Sequence, residues 1–187
     1  MHLYLSKELM IKLKNNKKNN FLKAGIPIFI LLLAALLTGC EKENTIESSV
    51  VINELMPRNI NWVADQNGEY DDWIELYNNS ALSFDISGYY LSDSHKHLTK
   101  WKIPKGTTIS GNGYLIFWAD KDTLQSGLHT NFKLSADGEK VFFVTPDFLI
   151  IDKVEFPGQS DQLSYSRRPN GTGPFVWQTP TFNASNN

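Results

Sequence analysis

From Val50 onward the chain is written in a period of two, and this constrains its fold more than any other feature. Apolar and polar residues alternate in Trp73-Ile74-Glu75-Leu76-Tyr77, Ser83-Phe84-Asp85-Ile86-Ser87, Lys100-Trp101-Lys102-Ile103 and Lys153-Val154-Glu155-Phe156. Successive strand side chains point to opposite faces, so this alternation sets one row against a core. No stretch of similar length carries a helical stripe. Three runs are continuously apolar, Tyr114 to Ala119, Val141 to Val144 and Phe148 to Ile151, and are expected as central strands.

Residues suited to turns punctuate these segments. Asn67-Gly68, Ser87-Gly88, Gly111-Asn112-Gly113, Asp137-Gly138, Pro146-Asp147 and Asn170-Gly171 supply positive φ or a fixed proline φ. Many short strands at this spacing predict an all-β antiparallel sandwich. The segment from Phe132 to Phe156 reads as two consecutive hairpins: Phe132-Lys133-Leu134 turning at Asp137-Gly138 into Val141 to Val144, then at Pro146-Asp147 into Phe148 to Phe156. Residues 50–158 are assigned to the sandwich. Residues 159–187, richer in Gly, Pro, Ser and Asn, are expected to pack on it as an extension that frays after Pro180.

The first forty residues are of another kind. Ala24 to Leu37 is an apolar run of 14 residues, preceded by Lys7, Lys12, Lys14, Lys17, Lys18 and Lys23 against one Glu8. A bilayer core of ~30 Å needs about 20 helical residues, so the run has the length of a signal-peptide core behind a positive n-region. Met10, followed by Ile11-Lys12-Leu13-Lys14, would make a more ordinary start than Met1. Leu37-Thr38-Gly39-Cys40 resembles the cleavage motif of bacterial lipoproteins: small residues at 38 and 39 admit the peptidase, and the only cysteine of the chain carries the lipid. The resemblance implies that 1–39 is removed, that Cys40 anchors the protein to a membrane, and that it belongs to the bacterial cell envelope, at the outer membrane or cell surface. Residues 40–49, polar and acidic, read as a flexible tether.

Charge then narrows the partners. The leader holds six of the 18 Lys and Arg and one of the 20 Asp and Glu, leaving 12 basic and 19 acidic residues in 40–187, a net charge of −7. A polyanion-binding domain needs a basic face, so no nucleic-acid partner is expected. With Cys40 lipidated, no thiol remains for a disulfide, a thiolate metal site or a nucleophile.

The order of the strand motifs is informative in itself. Val51-Ile52-Asn53-Glu54-Leu55, Asp72 to Asn78 (DWIELYN), Ile86 to Asp93 (ISGYYLSD), Lys100 to Pro104 (KWKIP), Gly113-Tyr114-Leu115, His129 to Ser135 (HTNFKLS) and Gly138-Glu139-Lys140-Val141 together resemble the lamin-tail domain in its bacterial form. Ser164 to Pro169 and Thr179-Pro180-Thr181 with Ala184 and Asn186 are similar to the sequence that closes such domains. The resemblance implies an immunoglobulin-like β-sandwich that binds or tethers without catalysis.

Candidate sites are few. Asp65, Asn67, Glu69 and Asp71 place oxygen ligands at alternate positions, as a loop around Ca²⁺ would. Their glycine placement departs from the EF-hand, and an Asn-Gly turn kept soluble by its acids explains them more simply, so no metal or other cofactor is expected. His95, His97 and His129 are an equally weak zinc set, read as solvated loop histidines. No Gly-x-Ser-x-Gly elbow or zinc-protease helix occurs. Asp120 with Asp122, and Asp71 with Asp72, are pairs of acids without any sign of convergent geometry, so no enzyme is expected. Trp73, Trp101 and Trp118 fall in strand patterns and belong to the core. Trp62, in the polar stretch Asn59 to Trp62, is the candidate ligand contact, for a protein or a glycan. The functional expectation is a lipid-anchored, non-catalytic binding or scaffolding module with a protein partner; a carbohydrate-binding surface lipoprotein and a calcium-dependent adhesion domain are the alternatives.

Overall fold

The computed structural model describes residues 48–159 and 161–187. Among these, all regular structure is β. The strands are β1 (Val50–Met56), β2 (Trp73–Asn78), β3 (Phe84–Asp85), β4 (Tyr90–Ser92), β5 (Trp101–Lys102), β6 (Thr108–Ile109), β7 (Tyr114–Trp118), β8 (Gly138–Val144), β9 (Ile150–Pro157), β10 (Ser164–Arg167) and β11 (Phe175–Gln178). They form a five-stranded sheet in the order β11-β10-β1-β2-β7, a four-stranded sheet β5-β4-β8-β9 and the short pair β3-β6. Every pairing within these sheets is antiparallel.

The two larger sheets share one interior. Ile52, Leu55, Ile74, Leu76 and Phe117 from the first meet Leu91, Trp101, Val141, Phe143, Val154 and Phe156 from the second, all buried. Trp101 and Phe117 meet edge to face with ring centroids 5.8 Å apart. This is the row that the alternating pattern reserves for a core.

The opposite row of the five-stranded sheet is buried as well, which alternation alone does not predict. Met56, Trp73 and Trp118 form a second cluster with Val63, Ile116 and Phe182. Phe182 comes from the last residues of the chain and packs 5.1 Å from Trp73 and 5.6 Å from Trp118. The C-terminal segment therefore roofs the outer face of β1, β2 and β7.

A β-bulge gives β1 its character. Its register against β2 shifts between Ile52 and Glu54, so the inward row runs Val50, Ile52, Leu55 while Glu54 and Met56 turn outward. An extra residue on one strand bends it and re-aims its side chains. Asn53 is that residue.

Several expectations are corrected. Phe132 to Leu134 does not pair with β8; Lys133 instead bridges to Asp120 beside β7, while Phe132 and Leu134 are buried in the main core. Tyr114 to Ala119 is an edge strand, with a covered outer face that accounts for its unbroken apolarity. Phe148 and Leu149 lie before β9, in the hairpin loop, with Phe148 at φ +65° and 60% exposed. The stretch after residue 159 supplies β10 and β11 to the larger sheet. Beyond Pro180 the chain is held: Asn186 is fully buried, its Nδ2 donating to the Asn53 carbonyl at 3.1 Å.

Candidate functional site

Three groups of polar residues stand out, each set by the loops and the roof around β1 and β2. The first is a buried carboxylate network beneath the C-terminal segment. Glu54 and Glu75 are both fully buried. Glu54 accepts from the Thr181 backbone N–H at 2.9 Å and lies 2.7 Å from the Thr181 hydroxyl. Glu75 accepts from Asn53 Nδ2 at 2.8 Å and from the Asn183 N–H at 2.7 Å. Burial, with a smaller contribution from the neighbouring Glu54 charge, pushes the Glu75 carboxyl up to about 8, against the pull of those two hydrogen bonds. Asn53 also accepts from the Gly171 N–H at 2.8 Å. A Cβ on Gly171 would collide with the side chains of Asn79 and Tyr77, and its φ is +69°, so the backbone comes this close only as glycine. The network joins the bulge, β2, the β10–β11 turn and the chain end, and solvent does not reach it.

The second group is the loop from residue 57 to 72. Asn59 organises it from within: its Nδ2 donates to the carbonyls of Val63 and Asp71 at 2.6 and 2.9 Å, and its Oδ1 accepts from the Trp62 N–H at 3.0 Å. Gln162 accepts from the backbone N–H groups of Ile60 and Asn61 at 2.9 and 3.1 Å. On this fixed backbone Trp62 is 46% exposed beside Ile60 at 52%. Close to half of the Trp62 surface is therefore open to water.

The third group completes the same loop. Asp65 Oδ1 accepts from the N–H groups of Asn67 and Glu69, both at 2.8 Å, around Gly68 at φ +86°. This is the expected Asn-Gly turn. It also brings one carboxylate oxygen from each of Asp65, Glu69 and Asp71 within 4.8 Å of the others. Asn67 Nδ2 donates to Gln125. The Asp71 carboxyl is raised by burial and by the charges of Asp120, Asp65 and Glu69, with Lys133 acting in the other direction.

Behind this loop lies a pair that the sequence concealed. His129 Nδ1 meets Asp120 Oδ2 at 2.5 Å, with both side chains almost entirely buried. With Nδ1 donating, Nε2 accepts from the Gln66 amide at 2.6 Å. His129 is thus a structural pin between the loops holding Gln66 and Asp120, and the reading of it as a solvated histidine is corrected. His95 packs against Phe142, with ring centroids 6.0 Å apart, and among the described residues the three histidines do not form a metal-binding group. Nine residues separate Asp120 from His129, and no local signal marks them as partners. Asp120 Oδ1 caps the Asp122 N–H at 2.8 Å, so this acid pair makes a turn.

Another missed residue is Arg167. Its guanidinium holds both oxygens of Asp152 at 2.9 and 3.0 Å and donates to the Ile52 carbonyl at 2.9 Å. Asp152 in turn accepts from the Ile52 N–H at 2.9 Å. The pair stitches β10 and β1 to β9 across the sandwich.

A groove of about 250 Å³ on the four-stranded sheet, lined by His95, Lys140, Phe142, Lys153, Val154 and Glu155, takes one of the candidate histidines but no residue of the 57–72 loop. Leu37, Thr38, Gly39 and Cys40 lie outside the described residues.

Two antiparallel sheets around one interior, with a bulged first strand and a roofed outer face, define an immunoglobulin-like β-sandwich. The lamin tail domain family model matches residues 44–158, more than half of the chain, and the chain belongs to that family. No curated protein matches it.

Proposed function

We propose that this protein is a lipid-anchored, non-catalytic binding module of the bacterial cell envelope, attached through Cys40 and engaging a protein partner through the loop that carries Trp62. The observation that carries the reading is the rigid exposure of that tryptophan. A large aromatic side chain left half in water beside Ile60, on a backbone fixed by Asn59 and Gln162, loses little conformational freedom on binding and buries a large area. The buried polar groups elsewhere serve structure: Glu54, Glu75, His129 and Asp120 are all engaged within the fold. The net charge of −7 in residues 40–187 opposes a nucleic-acid partner.

The test joins anchor and loop. Wild type incorporates labelled palmitate and partitions into detergent, whereas Cys40→Ser does neither; equal labelling of both removes the anchor. A photocrosslinker placed at residue 60 in intact cells captures a protein partner, and Trp62→Ala abolishes the capture without lowering thermal stability. The exposed indole also suits stacking on a sugar ring, and retention on a glycan array that depends on Trp62 would replace the protein partner with a carbohydrate.

A further inference from the structure

We propose that Asp65, Glu69 and Asp71 form a Ca²⁺ site that fixes the loop between β1 and β2 against the loop following β7. Three carboxylates are drawn together, with one oxygen of each within 4.8 Å of the others. Ligand oxygens around Ca²⁺ at 2.3–2.6 Å stand at most about 5 Å apart, so one ion reaches all three.

Proximity alone would not distinguish this cluster from other acidic turns. The distinguishing observation is a pair of orphaned atoms: Asp65 Oδ2 and Asp71 Oδ2 are both shielded from solvent and receive no hydrogen bond. Asp65 is only 8% exposed. Its Oδ1 is satisfied by the turn, which leaves the second oxygen of a buried carboxylate with nothing to compensate its desolvation. Asp71 is only partly buried, but its Oδ2 is shielded as well, and it sits among the charges of Asp65, Glu69 and Asp120, opposed by Lys133. Asp120 is spoken for by His129 and the Asp122 N–H, and does not relieve them. A divalent cation does.

The chemistry selects the ion. The donors are oxygens throughout, which excludes metals that favour thiolate or imidazole. Mg²⁺ demands near-ideal octahedral geometry and usually takes one or two carboxylates and several waters, whereas Ca²⁺ accepts six to eight oxygens in irregular arrangements. Three carboxylates on a five-residue turn plus its flank match the second description, with water completing the shell on the exposed Glu69 side. Gln66 and Gln125 extend the effect beyond the turn. Gln66 reaches His129 and the Ser126 carbonyl, and Gln125 donates to Glu69 at 2.5 Å. An ion here ties the two loops together.

Calorimetric titration of CaCl₂ into chelator-treated full-length protein in detergent is expected to show saturable one-site binding with a dissociation constant of about 0.1–1 mM, the range of extracellular modules. Mg²⁺ is expected to bind at least about tenfold more weakly, and Ca²⁺ to raise the melting temperature in a concentration-dependent way. Glu69→Gln changes an exposed side chain and leaves the turn intact; it and Asp71→Asn each weaken Ca²⁺ at least about tenfold, while the remote Glu155→Gln does not. Absence of saturable heat up to about 10 mM, equal affinity for Mg²⁺, or unchanged binding in Glu69→Gln and Asp71→Asn would each overturn the assignment.

Discussion

Replacing Glu75 with glutamine should make the protein progressively more stable relative to wild type as pH rises. Glu75 is fully buried, and its carboxyl titrates at about 8 instead of 4.5. Its folded value lies above its unfolded value, so below pH 4.5 the group is protonated in both states and carries no penalty. As pH rises from 4.5 through 8, the unfolded chain releases the proton and the folded one holds it, so stability falls. At about 1.36 kcal/mol per pH unit, the full window sets a ceiling near 5 kcal/mol, and relaxation of the roof with entry of water lowers this to about 2–3 kcal/mol. Glu139, raised to about 7 chiefly by burial, and Asp72, raised to about 6 by burial, slope the curve the same way. The comparison with Glu75→Gln removes their contribution. Glutamine retains a carbonyl oxygen for one of the Asn53 amide and the Asn183 N–H and turns its own N–H towards the other, a cost that does not vary with pH. Urea unfolding followed by tryptophan fluorescence, at half-unit intervals from pH 4.5 to 8.5, measures the difference between the two proteins. It should move by at least about 2 kcal/mol in favour of the variant across that window. Parallel curves across that window would refute the argument, because the proton would then not reside on Glu75.

Other substitutions test the packing. Trp73→Ala removes an indole enclosed by Met56, Trp118 and Phe182 and should cost about 3–5 kcal/mol, read as a lowered urea midpoint; an unchanged midpoint would mean that the roof is not packed as described. Phe182→Ala should cost less, about 2–3 kcal/mol, since its ring is only partly buried, and should redshift tryptophan emission as Trp73 and Trp118 become wet. Arg167→Ala strands Asp152 and should destabilise by about 2–4 kcal/mol, somewhat below the range for fully buried pairs because both groups keep some solvent contact. Asp152→Asn in that background should recover part of the loss, and a lack of recovery would assign the effect to the Ile52 hydrogen bond.

What could be read from the residues was whatever is encoded locally. The alternation in Trp73 to Tyr77 and Lys153 to Phe156 located β2 and β9, and Asn67-Gly68, Ser87-Gly88 and Asn170-Gly171 marked turns whose glycines do have positive φ. The acids at 65, 69 and 71 were candidates together with Asn67, but their alternate spacing fitted a soluble turn as well, and only the fold shows the three drawn together. Contacts between distant segments were not legible. Nothing in Glu75 announces that Asn183 will cover it, and nothing in Phe132 to Leu134 says that it leaves β8 to sit beside β7. Pairing in β-structure depends on tertiary neighbours more than on intrinsic preference. The outer row of β2 illustrates this: Trp73 and Glu75 occupy equivalent strand positions and are equally buried, yet one joins an aromatic cluster and the other a polar network.

The position of β10 governs the order in which the molecule can assemble. Glu54 faces Ser166 and Leu55 faces Tyr165, partners about 110 residues apart, so the first strand must wait for nearly the last before its second edge is satisfied. Until then an incompletely folded chain presents β1 as an open template for any extended segment it meets. Such non-local closure is slow. It makes the strand most exposed to misassembly the one that stands first in the described sequence. Excision at residue 158, where the family match ends, would recreate that open edge permanently, leaving an aggregation-prone fragment in place of an independent domain.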